Sequence, residues 1–123
     1  EKALGWTGVL IEPSPPRFAR LAGNRPKNKL FNTAVCAEEQ GVDSILFSGG
    51  GDSDFHEVST WQEDRGQEGN VTQVSCKSLK AILRAAGVSL ITYFSLDVEG
   101  GELNVLKAMD WSVPVCVWEV EMQ

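Results

Sequence analysis

Histidine is nearly missing from this chain: His56 is the only one among 123 residues. No serine or cysteine stands as its obvious partner, so the sequence assigns it to no nucleophile–base pair. Positive charge is also scarce, with 11 Lys and Arg against 17 Asp and Glu and a formal net charge of −6. That sign argues against a nucleic-acid groove or an anionic membrane surface as partner. No apolar run approaches the roughly 20 residues that a membrane helix needs, and no leader pattern opens the chain. The cytoplasm stands as the default compartment. Cysteine is limited to Cys36, Cys76 and Cys116, an odd number, widely spaced, with no CxxC pair. A zinc site or a disulfide framework is therefore not expected. Each cysteine sits in or beside an apolar run, so the expectation is three unpaired thiols acting as small hydrophobes.

Other signals are incomplete. "SGGGDSD" lacks the lysine and the strand–loop–helix setting of a phosphate-binding loop. Asn70-Val71-Thr72 matches the glycosylation acceptor pattern, which carries no meaning until the compartment is known. Asp97, Glu99 and His56 are types that hold divalent cations, but their spacing shows no convergence, and no metal site is assigned. There is no internal repeat and no low-complexity segment.

What is present fits one modest domain, 1–123, with 42% hydrophobic and 23% charged residues. "GVLIEP" is a short apolar run whose length favours a strand buried on both faces. In "SPPRFARLAGN", Ser14 caps a helix, Pro15 fits its first position, Phe18, Leu21 and Ala22 form a stripe, and Gly23 is the expected stop. "LFNTAVC" (30–36) reads as one further buried strand. Residues 41–70 read as an insertion or substrate-side loop; "SILFSG" is a possible exposed strand and "NVTQVSC" another, with the polar stretch between them read as a loop. "SLKAILRAAG" is the clearest helix, with Leu79, Ile82, Leu83 and Ala86 on one stripe and Gly87 at its end. "ITYFSLDV" is a strand, "GELNVLKAM" a short helix carrying Leu103, Leu106 and Met109, and "VPVCVWEV" a last strand. This alternation is that of a doubly wound α/β fold with a mainly parallel sheet.

In such sheets ligands bind beyond the carboxyl ends of the strands, and an acid stands there twice. Glu12 ends the first strand, where a carboxylate accepts from the ribose hydroxyls of a nucleotide-like cofactor or is simply a solvated strand end. Asp97 ends the strand before "VEGGE", in which Gly100 and Gly101 stand between Glu99 and Glu102. A helix N-terminus stabilises acids, which accounts for Glu102. Asp97 lies inside the apolar run, where desolvation is costly unless a partner is supplied. Asp97 and Glu99 are therefore expected to face a site.

"GWTGVLIEPSPPRFARLAGNR", "NTAVC" and above all "FSLDVEGGELNVLKAMDW" together resemble the FkbM-type methyltransferases, over nearly the whole chain outside 41–70. The resemblance implies a Rossmann-like class I methyltransferase fold, S-adenosylmethionine as cofactor, and methyl transfer to a hydroxyl oxygen of a small-molecule or glycan acceptor. It also implies that Glu12, with Pro13 beside it, holds the cofactor ribose. Asp97 and Glu99 would line the methyl-transfer pocket, Asp97 at the cofactor–acceptor junction, with Glu119 at the end of the next strand. Against the family pattern, the first strand with its glycine-rich turn and the closing strands are expected to be missing. The 123 residues alone are then expected neither to bind the cofactor nor to fold with ordinary stability. "GVLIEP", "LFNTAVC", "TYFSLDV" and "PVCVWEV" are expected to be parallel in one sheet, with Glu12 and Asp97 at the same edge. The rival readings are a nicotinamide-dependent oxidoreductase, since a ribose-binding Glu serves both, and a non-catalytic interaction domain that keeps the fold.

Overall fold

The computed structural model describes residues 6–25, 27–38, 41–48, 56–58 (backbone only), 71–98 and 101–121. Two helices begin as their caps predict. Ser14 Oγ accepts the Arg17 N–H at 3.5 Å, and α1 (Pro15–Asn24) follows with proline in its first positions. Its apolar stripe is only half-buried, and the helix runs through Gly23 to end at Asn24. Ser78 Oγ accepts the Ala81 N–H at 3.1 Å and opens α2 (Leu79–Ala86), whose stripe Leu79, Ile82, Leu83 and Ala86 is fully buried. Gly87 closes it at φ 71°, a left-handed conformation costly for any residue with a Cβ.

Among the described residues the strands form three hydrogen-bonded sheets. β1 (Val9–Ile11) pairs in parallel with β2 (Lys29–Phe31), Leu10 opposite Leu30. β7 (Ile91–Leu96) pairs in parallel with β8 (Val115–Val120), Phe94 opposite Trp118. Between them in sequence lie β3 (Ala34–Val35), β4 (Ser44–Ser48), β5 (His56–Val58) and β6 (Val71–Lys77), in the order β3-β6-β4-β5. There β3 and β6 are parallel, whereas β4 runs antiparallel to both β6 and β5.

This corrects the expected single, mainly parallel sheet: α/β character holds, but among the described residues β1 and β7 belong to different sheets. The 30–36 run is two strands, because the residues between them bond sideways. Asn32 Nδ2 donates to the Glu12 carbonyl at 2.8 Å, and Thr33 Oγ1 donates to the Ser75 carbonyl at 2.8 Å. The chain thereby leaves β1 and joins β6. β4 is not an exposed strand, since Phe47 and Ser48 are buried. Residues 49–55 and 59–70, which carry most of the expected insertion, lie outside the described residues.

Two apolar cores result. The smaller gathers Ala34, Cys36, Phe47, Val74 and Cys76. The larger packs Leu79 and Leu83 of α2 against Leu96, Val105, Met109 and Val113, with Ile11, Phe94 and Trp118 at its margin. The short helix α3 (Glu102–Lys107) contributes Val105 to this core and leaves Leu103 64% exposed. The inward face begins at Glu102, and Val105 follows it at helical spacing. Lys29 Nζ donates to the Ala86 carbonyl, placing a cation at the α2 C-terminus and tying β2 to that helix.

Cys36 and Cys76 are joined in a disulfide, with Cα atoms 5.6 Å apart. The expectation of three free thiols is thus wrong for this pair, which β3–β6 pairing sets side by side although 40 residues separate them in sequence. Cys116 is free, but exposed rather than buried.

Candidate functional site

Glu12 follows β1 directly, and its N–H still pairs with the Phe31 carbonyl at 3.0 Å. The side chain is half-buried and turns back over the start of α1, where Oε1 accepts the Ser14 N–H at 3.0 Å. Asn32 Nδ2 holds the same turn from below, through the carbonyls of Glu12 (2.8 Å) and Pro13 (3.3 Å). Glu12 is therefore a fixed carboxylate rather than a freely solvated strand end. One oxygen serves the helix, and the other accepts no hydrogen bond among the described residues.

Asp97 follows β7 in the same way. Leu96, just before it, is 4% exposed and accepts the Glu121 N–H at 2.9 Å. Asp97 itself is exposed. The desolvation argument made from the apolar run therefore fails, because the strand ends one residue earlier. What remains is its position at the strand's carboxyl end. Glu99, the second expected pocket acid, lies outside the described residues, as does His56's side chain.

Glu102 is the residue whose part in this region the sequence understated. It is 3% exposed, and its Oε1 accepts the Val98 N–H at 3.3 Å, while the Gly101 N–H donates to the Val98 carbonyl at 3.3 Å. Gly101 has no side chain to cap α3, and the buried carboxylate instead bonds back to the Val98 N–H, next to Asp97. The sequence signal was available: an acid at the first helical position after two glycines.

Glu119 does not end β8. It lies one residue short of the end, opposite Ser95, and its carboxylate accepts the Tyr93 hydroxyl. That hydrogen bond, followed by desolvation and the nearby negative charge, pushes the Tyr93 hydroxyl above its ordinary pKa.

Glu12 and Asp97 are not hydrogen-bonded to each other. They are related through the core: Ile11 and Leu96, each the last residue of its strand, join one apolar cluster. Two acids thus leave the same core one residue past the carboxyl ends of two parallel-paired strands. A shallow cleft lined by Glu38, Lys80, Lys107, Ala108 and Met109 contains neither of them. Among the described residues, no cluster of His, Cys, Asp and Glu is arranged to hold a metal ion, and no helix is long and apolar enough to cross a membrane.

The Methyltransferase FkbM domain matches residues 1–123. No curated protein and no solved structure matches the chain. The match covers the turn before α3 as well as the one carrying Glu12, and the chain belongs to the FkbM methyltransferase domain family.

Proposed function

We propose that this domain transfers a methyl group from S-adenosylmethionine to a hydroxyl oxygen of a small-molecule or glycan acceptor, on a Rossmann-like framework. The observation that carries the reading is the pair of acids, Glu12 and Asp97, placed just past two parallel-paired strands that end in one core. The family match over the whole chain supports methyl transfer in preference to nicotinamide chemistry.

The residues suit the cofactor. Glu12 is held by Ser14 and keeps one carboxylate oxygen for ribose hydroxyl donors, and Pro13 adds no competing N–H. When bound, S-adenosylmethionine supplies an electrophilic methyl group on a cationic sulfonium. Asp97 is placed to accept or orient the acceptor's hydroxyl proton, and its negative charge favours a cationic ligand nearby. Glu99 is assigned to the same pocket by the resemblance. Positioning does much of the work in an in-line displacement of this kind, and Glu102 serves it by bonding to the Val98 N–H just after Asp97.

Calorimetric titration of the full-length protein with S-adenosylmethionine, and separately with a nicotinamide dinucleotide, tests the reading. Saturable binding of the first alone is the expected result. Binding of the dinucleotide alone supports an oxidoreductase, and binding of neither supports a non-catalytic domain.

A further inference from the structure

The disulfide sits at a particular place in the chain path. Cys36 follows β3, where the chain leaves the β1–β2 unit, and Cys76 lies in β6, two residues before Ser78 caps α2. β4 and β5 lie between them in sequence, in an excursion whose neck this bond closes. Backbone pairing between β3 and β6 covers only two residue pairs, Ala34 with Cys76 and Val35 with Lys77. So short a ladder is weak support for a segment of this length. The neck is otherwise sealed by the Cys36 N–H to Lys77 carbonyl bond (3.1 Å), the Cys76 N–H to Asp43 carbonyl bond (2.9 Å) and Ser78 Oγ to Glu38 (3.2 Å).

Both cysteines are nearly inaccessible, at 4% and 5% exposed, within the core formed by Ala34, Phe47 and Val74. A disulfide exchanges only when a thiolate reaches one of its sulfurs, so burial protects this one from small thiols while the fold is closed. That is the pattern of a permanent staple rather than of a switch. Permanent staples form in oxidising compartments and are rare where glutathione and thioredoxin keep thiols reduced.

We propose that this chain matures in an oxidising compartment, the secretory lumen or its bacterial counterpart, where Cys36 and Cys76 are covalently joined as the domain folds. The two thiols give up two protons and two electrons as the S–S bond forms. The electrons pass to the disulfide of a thiol–disulfide oxidoreductase, which is released as its dithiol. The inference is independent of methyl transfer, and it replaces the cytoplasm as the default location. It also gives the Asn70-Val71-Thr72 triplet a compartment in which it can be read, although Asn70 lies outside the described residues.

The test uses the full-length protein from the cell that makes it, with thiols trapped by N-ethylmaleimide during lysis. The trapped protein is digested without reduction and analysed by mass spectrometry. The expected result is a linked Cys36–Cys76 peptide pair, with maleimide on the exposed Cys116 alone as the internal control. Maleimide on both Cys36 and Cys76 would overturn the proposal. Protease protection then tests the compartment: the linked protein is expected inside sealed vesicles or in the medium, and its recovery from the cytosol would overturn that half. Neither measurement needs a variant that has to fold.

Discussion

Glu12 holds the start of α1 and is proposed to hold the cofactor ribose, and at the scale of single residues two substitutions separate these roles. Glu12→Gln keeps an oxygen for the Ser14 N–H and loses the charge; Glu12→Ala loses both. Alanine is expected to weaken S-adenosylmethionine binding by about 1.5–3 kcal/mol, roughly 10- to 150-fold, in a calorimetric titration of the full-length protein. Unchanged affinity would reduce Glu12 to a partner of helix α1. Glu102→Ala removes a buried acceptor and leaves the Val98 N–H without it, so a loss of about 1–3 kcal/mol is expected in urea unfolding, with Glu102→Gln closer to the parent. Tyr93 is the only tyrosine in the chain, so phenolate absorbance reads it alone. Its midpoint should lie above the ordinary value in the folded protein and fall back in Glu119→Gln. Because the folded pKa is raised, this group's contribution is fully present below the unfolded value and is lost as pH rises through the alkaline range. Glu12 and Asp97 could be picked from the sequence as strand-end acids, but Asp97's exposure could not, because the apolar run continues past it to Val98. Glu102's burial could not, because it depends on what packs over the first turn of α3.

Among the elements, α2 was the most legible, since cap, stripe and left-handed stop all lie within ten consecutive residues, Ser78 to Gly87. Ser78→Ala should cost about 1 kcal/mol in unfolding free energy, by leaving the Ala81 N–H without its cap. The 30–36 run was less legible. An unbroken strand and two short ones differ in where Asn32 and Thr33 find their distant partners, which are 19 to 42 residues away. The staple between β3 and β6 belongs to this scale as well. Loop-closure entropy for its 40-residue separation comes to about 4 kcal/mol, an upper figure for what Cys36→Ser with Cys76→Ser should lose. A double variant melting at the parent's temperature would mean that the hydrogen bonds at the neck suffice without the bond.

For the molecule as a whole, the two apolar cores are expected to differ in stability. Hydrogen exchange should show this directly: after reduction under mildly denaturing conditions, the amides of β4 and β6 are expected to lose protection while those of Ile82 and Leu83 in α2 keep theirs. Uniform loss across both would show a single cooperative unit. Periodicity, caps and composition lie in consecutive residues, so the helices, most strands and the α/β class follow from the chain read in order, whereas β5, inside the stretch read as a loop, does not. The acids at the ends of β1 and β7 follow as well, because strand ends are local. Pairing is different. β6 stands between β3 and β4, β1 and β7 enter separate sheets, and two cysteines meet across 40 residues, because each outcome compares contacts between segments distant in sequence. The free energy of such contacts depends on which surfaces are left to bury once the chain has folded back on itself, and no stretch of consecutive residues contains that information.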